Sequence, residues 1–99
     1  MEISFDPAKS ERNGIERGLP FDLAAEFDFE KALVDEDDRR DYGETRYLAF
    51  GRIGDRLHAL CFTRVGRGNR VISLRKANKR EMRRYEEARA ADQRRPGHV

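Results

Sequence analysis

The sequence predicts an α+β domain: two N-terminal helices and a C-terminal helix packed on a small antiparallel β-sheet. Three observations predict it. Helix-start and helix-stop residues crowd the first thirty or so positions, residues 45 to 75 alternate apolar and polar side chains between glycine-containing turns, and a helix start, Asn78-Lys-Arg-Glu81, follows the last of those runs. Ninety-nine residues allow one such domain with a single small core. Although 40% of the residues are charged, 37% are hydrophobic, and Phe, Leu, Ile and Val recur in patterned runs, which favours a folded chain over a disordered one. The domain is expected over 1–92. Residues 93–99 are expected to form a flexible C-terminal tail, because Pro96-Gly97 cannot continue a helix.

Taken in order, Ile3 and Phe5 alternate with polar neighbours and suggest a short strand. Asp6-Pro7 then starts the first helix, since an Asp side chain accepts from exposed N–H groups and Pro suits the first helical position. Gly18 ends it. A second helix is expected from about Pro20 to Asp28, where Phe21, Ala24, Ala25 and Phe27 make a roughly helical apolar face. Lys31 to Val34 reads as an edge strand, and Asp35 to Gly43, too polar for either regular element, as a surface loop. Three strands follow, Thr45 to Arg52, Arg56 to Val65 and Asn69 to Arg75, joined by turns containing Gly54-Asp55 and Gly66-Arg-Gly-Asn69. Loops this short imply antiparallel neighbours. Period-two counting puts Leu48, Phe50, Leu60, Phe62, Ile72 and Leu74 on the face that the helices cover. It leaves Tyr47, Ala49, Cys61, Thr63, Ser73 and Arg75 on a smaller, more polar face with room for a ligand. In the last helix Asn78 and Glu81 form a capping-box variant, and Met82 and Tyr85, one turn apart, supply the apolar stripe.

Charge is strongly polarised along the chain. Residues 1–46 carry 7 Lys/Arg against 14 Asp/Glu and residues 64–99 carry 12 against 4, so the formal net charge of +2 hides a dipole. Arg64 to Tyr85 joins a short apolar strand to a dense set of cations, which presents Arg and Lys to an anion, polyphosphate above all. Arg64, Arg70 and Arg75 suit phosphate, because guanidinium stays protonated and its planar fork holds two oxygens at once. They read equally as strand-end cations neutralised by the acidic half of the molecule. Cys61 is the only cysteine, which leaves no intramolecular disulfide framework and no Cys/His spacing for structural zinc. The first residues lack a basic segment followed by an apolar run, and no stretch of about 18 apolar residues occurs. A cytoplasmic protein with no membrane partner is the expectation.

Several short motifs carry a family likeness. Phe5-Asp-Pro-Ala-Lys9 with Asn13, Gly18 with Pro20-Phe21 and Ala25, Gly43-Glu44 with Arg46, Gly51, and Arg64 with Arg70-Val-Ile-Ser-Leu-Arg-Lys-Ala77, Glu81 and Tyr85 together resemble the BrnT-type ribonuclease toxins of bacterial type II toxin–antitoxin modules. The likeness covers residues 3 to about 88. It implies a RelE-like α+β fold, RNA cleavage that halts translation, and inhibition by a small cognate antitoxin, BrnA-like, with a ribbon-helix-helix DNA-binding part. It also implies that the complex, expected as a heterotetramer, represses its own operon through operator DNA. Relatives commonly have Lys-His-Gly where this chain has Glu16-Arg17-Gly18, and Ser-Ala-Arg where it has Ser73-Leu74-Arg75.

RNA brings its own nucleophile, the 2′-hydroxyl. An enzyme need only deprotonate it, stabilise the pentavalent phosphate and protonate the leaving 5′-oxygen, so neither metal nor cofactor is obligatory. On this reading Arg64, Arg70 and Arg75 stabilise charge. Lys9, Glu44 and Tyr85 are the candidates for proton transfer, since Arg is a poor shuttle. Arg46, Lys76, Lys79 and Arg80 are expected on the RNA, and Met82, Arg83 and Tyr85 on the antitoxin, with the two large side chains as anchors among cations. Each residue also has a plainer reading. Glu44 and Arg46 share a face by pleat parity and suit an ordinary surface ion pair. Lys9 lies near the start of a helix, mildly against the dipole. Tyr85 suits packing on the sheet, His58 a satisfied or edge histidine, and Cys61 a small buried hydrophobe. The competing function is a non-catalytic basic module that grips nucleic acid, or docks an antitoxin, as co-repressor.

Overall fold

In the computed structural model, which describes residues 2–93, the chain runs β1 (Ile3–Phe5), α1 (Pro7–Arg17), a 3-10 helix (Phe21–Glu26), β2 (Leu33–Asp37), β3 (Arg46–Ile53), β4 (Arg56–Val65), β5 (Gly68–Lys76) and α2 (Lys79–Gln93). Beyond the end of α2, the tail expected over 93–99 lies outside the described residues.

α1 is bounded by the signals that announce it. The Asp6 carboxylate accepts from the Ala8 N–H at 2.9 Å, Pro7 opens the first turn, and Gly18, at φ 70°, closes the last by donating its N–H to Gly14 O at 2.9 Å. Two polar side chains on the inner flank tie this helix down. Ser10 Oγ accepts from the Phe21 N–H at 2.8 Å, and Asn13 Nδ2 donates to Leu19 O at 2.6 Å and Leu74 O at 2.8 Å.

The second N-terminal helix expected over Pro20 to Asp28 is only a six-residue 3-10 turn, so one α-helix, not two, lies between β1 and β2. Phe21, Ala24 and Phe27 are all buried. Their spacing of three stacks on one side of a 3-10 turn and would spread around an α-helix. Phe27 then turns extended (φ −71°, ψ 130°), and the Asp28 N–H bonds to Arg52 O at 3.0 Å, which pins this segment to the end of β3.

The five strands form one sheet in the order β1-β5-β4-β3-β2. The sheet is mixed, which corrects the expected antiparallel arrangement: β1 pairs parallel with β5, and the other pairs are antiparallel. A strand also occupies part of the segment read as a loop, because β2 reaches Asp37. Two of its three carboxylates are matched by cations: Asp37 lies opposite Arg46 in register and binds Arg39, and Asp35 meets Arg84 at 2.8 Å.

The expected faces need two corrections. The two-residue turn at Gly54-Asp55 pairs Ile53 with Arg56, so odd positions of β3 face even positions of β4: Ala49 pairs with Leu60 and Tyr47 with Phe62. Tyr47 and Ala49 therefore join the core under the 3-10 segment, and Leu48 and Phe50 point the other way. A bulge between Cys61 and Phe62 then shifts β5, pairing Leu60 with Leu74 but Phe62 with Val71, so Val71 enters the core in place of Ile72. A bulge inserts one unpaired residue and resets parity beyond it. The face expected to stay polar is partly closed by a second apolar cluster in which Tyr85 and Ala77 pack with Phe50, Leu57 and Ala59, with Met82 and Leu48 at its margin. Gly51 marks where the 3-10 segment crosses β3: a Cβ there would sit 2.5 Å from the Phe27 ring.

Candidate nucleic-acid interface

Strand register places one row of residues across the whole sheet: Ser4, Arg70, Thr63, Arg46 and Asp37 lie side by side on β1, β5, β4, β3 and β2. With neighbouring strands about 4.8 Å apart, Arg70 and Arg46 stand roughly 10 Å from each other on either side of Thr63. The chain enters α1 beside this row, which brings Asp6 and Lys9 over its β1 end. The result is a cleft of about 150 Å³ lined by Asp6, Lys9, Glu44, Arg46, Thr63, Arg70, Val71 and Ile72.

Each wall is held differently. Thr63, buried, donates its hydroxyl to Thr45 O at 2.7 Å. Arg46 is clamped on two sides: its Nε meets Glu44 Oε2 at 3.1 Å and its guanidinium carbon lies 4.1 Å from the Tyr42 ring centre. The Tyr42 hydroxyl reaches Asp37 Oδ2 at 3.4 Å. Asp37, its side chain 2% exposed, takes a two-pronged bond from Arg39 at 2.7 and 2.8 Å. That guanidinium holds the Asp37 carboxyl down at about 2, against the opposing effect of burial. Lys9 and Arg70 are exposed and make no ion pair among the described residues.

Lys9, Glu44, Arg46 and Arg70, four of the residues singled out in the sequence, thus share one cleft. The three arginines proposed to act together do not meet there. Arg64 is exposed opposite Asn69 by the β4–β5 turn. Arg75 is held at the α2 end of β5, where Nη1 and Nη2 bind the two oxygens of Glu81 at 2.8 Å each. The same carboxylate accepts from the Asn78 N–H at 2.9 Å while Asn78 Oδ1 accepts from the Glu81 N–H at 2.8 Å, a complete capping box. The paired guanidinium keeps the Glu81 carboxyl below its usual range, and Glu81 in turn raises Arg75.

Lys76, Lys79 and Arg80 are exposed at the corner between β5 and α2, and Arg83 is exposed one turn on. Tyr85 is 5% exposed, donates its hydroxyl to Lys31 O at 3.0 Å and stands apart from the cleft. Met82 is half-buried beside it. His58 is buried with Nδ1 2.9 Å from Arg56 O, and burial pushes its pKa down. Burial first, then the Asp37 charge, pushes the Cys61 thiol up, so it stays protonated at neutral pH. Sequence reading missed Thr63, Asp6 and Tyr42. The row that unites Thr63 with two arginines exists only in the strand register, and nothing local signals it.

A small α+β scaffold thus gathers three cations and two carboxylates into one cleft, a set of groups suited to a phosphate polymer. Residues 5–81 match the family model described as ribonuclease toxin, BrnT, of type II toxin–antitoxin system, and the chain belongs to that family. Membership implies a cognate antitoxin as partner. No curated protein and no solved structure matches the chain. Among the described residues no helix is long and apolar enough to cross a membrane, and no group of three or more His, Cys, Asp or Glu side chains is placed to hold a metal ion.

Proposed function

We propose that the chain is a metal-independent endoribonuclease toxin on a RelE-like scaffold, and that the cleft beside the Arg70-Thr63-Arg46 row is its active centre. The observation that carries this reading is the convergence of Lys9, Glu44, Arg46 and Arg70 from three separate parts of the chain on one cleft. In the reaction the 2′-oxygen attacks phosphorus, its proton passes to the Glu44 carboxylate, the bond to the 5′-oxygen breaks, and Lys9 supplies the proton that the leaving oxygen needs. Arg70 and Arg46 hold the non-bridging oxygens as charge grows on them, with Arg46 oriented beforehand by Glu44 and Tyr42. The products are a 2′,3′-cyclic phosphate and a 5′-hydroxyl. The antitoxin is a ribbon-helix-helix protein that closes the cleft or its approach, in a heterotetramer bound to operator DNA.

The test is incubation of the purified protein with RNA in excess chelator, followed by analysis of the new ends. Glu44→Gln is expected to slow cleavage by about 10²- to 10⁴-fold and Arg70→Ala by about 10²- to 10³-fold, each with unchanged melting temperature. RNA left intact at high protein concentration, with ribosomes and without, refutes the proposal.

A further inference from the structure

The cleft does not stop at Lys9. A second groove, of about 210 Å³, follows the flank of α1 and is lined by Lys9, Arg12, Asn13, Glu16, Arg17 and Ile72 among others, sharing Lys9 and Ile72 with the cleft. At about 1.5 Å per residue, Lys9 to Arg17 spans roughly 12 Å of helix axis. That exceeds the ~3.4 Å step between successive nucleotides of a stacked strand several times over. Arg12 and Arg17 are exposed and make no ion pair among the described residues. Asn13 has its amide committed to Leu19 and Leu74 carbonyls, so the groove's mobile donors are the cations. The helix dipole accounts for Arg17, in the last turn of α1. It gives no reason for Arg12, in mid-helix. The order Arg12 then Glu16 is also the weaker orientation for a pair four residues apart.

We propose that this groove carries the RNA strand away from the reaction centre, with Arg12 and Arg17 holding phosphates that flank the scissile bond. The inference rests on the ribonuclease reading of the cleft and deepens it: the substrate is single-stranded RNA longer than a dinucleotide. Every strand has phosphates, so this grip adds affinity without base preference.

The experiment compares a dinucleoside monophosphate with a single-stranded oligonucleotide containing the same step, using wild type and the Arg12→Ala/Arg17→Ala double variant, each shown by its melting curve to be folded. Loss of two phosphate contacts lowers kcat/KM on the oligonucleotide by about tenfold and leaves the dinucleotide rate unchanged. In parallel, binding of a 2′-O-methyl oligonucleotide, which cannot be cut, is titrated against salt. Its log–log slope becomes shallower by about 1.4 in the double variant, at roughly 0.7 per phosphate for single strands. Equal losses on both substrates, no loss on either, or the same slope change per charge in Arg52→Ala at the far end of β3 overturns the inference. If wild type cuts neither substrate, the ribonuclease reading fails, and the salt slope with the uncleavable strand still decides whether the groove binds it.

Discussion

Asn13 is the most economical place to test how α1 is fixed to the sheet. β1 pairs with β5 only over Asn69 to Val71, so farther along β5 that edge has no strand beside it. There Asn13 Nδ2 supplies a donor to Leu74 O at 2.8 Å while also reaching Leu19 O at 2.6 Å. Because both neighbours are carbonyl oxygens, only the NH2 end of the amide fits between them. Asn13→Ala removes two hydrogen bonds, each worth about 1 kcal/mol net, and leaves two half-buried carbonyls short of a donor. Alanine's better helix propensity returns up to about 0.7 kcal/mol. The balance is a loss of roughly 2 kcal/mol, or about 8–16 °C in melting temperature for a domain of this size.

Asn13→Asp sharpens the test, because it keeps the shape and reverses the chemistry by setting a carboxylate against two carbonyl oxygens. At pH 7 it is expected to destabilise more than alanine does. The folded state would then favour the protonated acid and raise its pKa, so the deficit relative to wild type shrinks as pH falls toward 4. Thermal melts by circular dichroism at pH 7 and pH 4.5 measure both effects. An alanine variant that melts within 2 °C of wild type, or an aspartate variant no worse than alanine at pH 7, refutes the argument.

Other perturbations separate structural cations from functional ones. Glu81→Ala removes the α2 capping box and the partner of Arg75, and is expected to cost roughly 1–2 kcal/mol, the cap supplying most of it because Arg75 is 38% exposed and its pair is screened. Arg75→Ala leaves the cap in place and removes only the ion pair, so it is expected to lower the melting temperature less than Glu81→Ala but more than Arg70→Ala; equal melts for Arg75→Ala and Arg70→Ala would remove the distinction. Asp37 adds stability that is full above its ordinary value of 3.8 and is lost as pH falls through about 2. Asp37→Asn should accordingly flatten the decline of melting temperature in that window, and parallel declines in the two proteins would show that another group governs it. Gly51→Ala forces a Cβ against the Phe27 ring and should cost about 1–3 kcal/mol in a denaturant titration.

Local signals were readable in the sequence because their mechanisms are local. Asp6, Pro7 and Gly18 bound α1, and Asn78 with Glu81 opens α2, each through contacts within a few residues. Pairing was harder. Which side of β3 faces the 3-10 segment depends on the parity of a two-residue turn, and whether Val71 or Ile72 enters the core depends on a bulge that no residue announces. The parallel docking of β1 beside β5 joins the two ends of the domain and leaves no short-range trace. The same distinction holds at the cleft. Motif likeness brought Lys9, Glu44, Arg46 and Arg70 forward, but only the register shows that Arg70 shares a row with Arg46 while Arg75 turns toward α2. The run Asp35 to Asp37 misled because its acidity suggested a solvated loop, whereas Arg84 and Arg39 pair with its two aspartates in a strand.

Docking the first strand against the last also governs when the cleft can form. Asp6 and Lys9 leave the ribosome early, yet their counterpart Arg70 and the strand that β1 leans on follow about sixty residues later. Contacts so distant along the chain form late and carry the largest closure entropy. A nascent or prematurely terminated polypeptide ending before Gly68 consequently lacks both the Arg70 wall of the cleft and the strand that β1 pairs with.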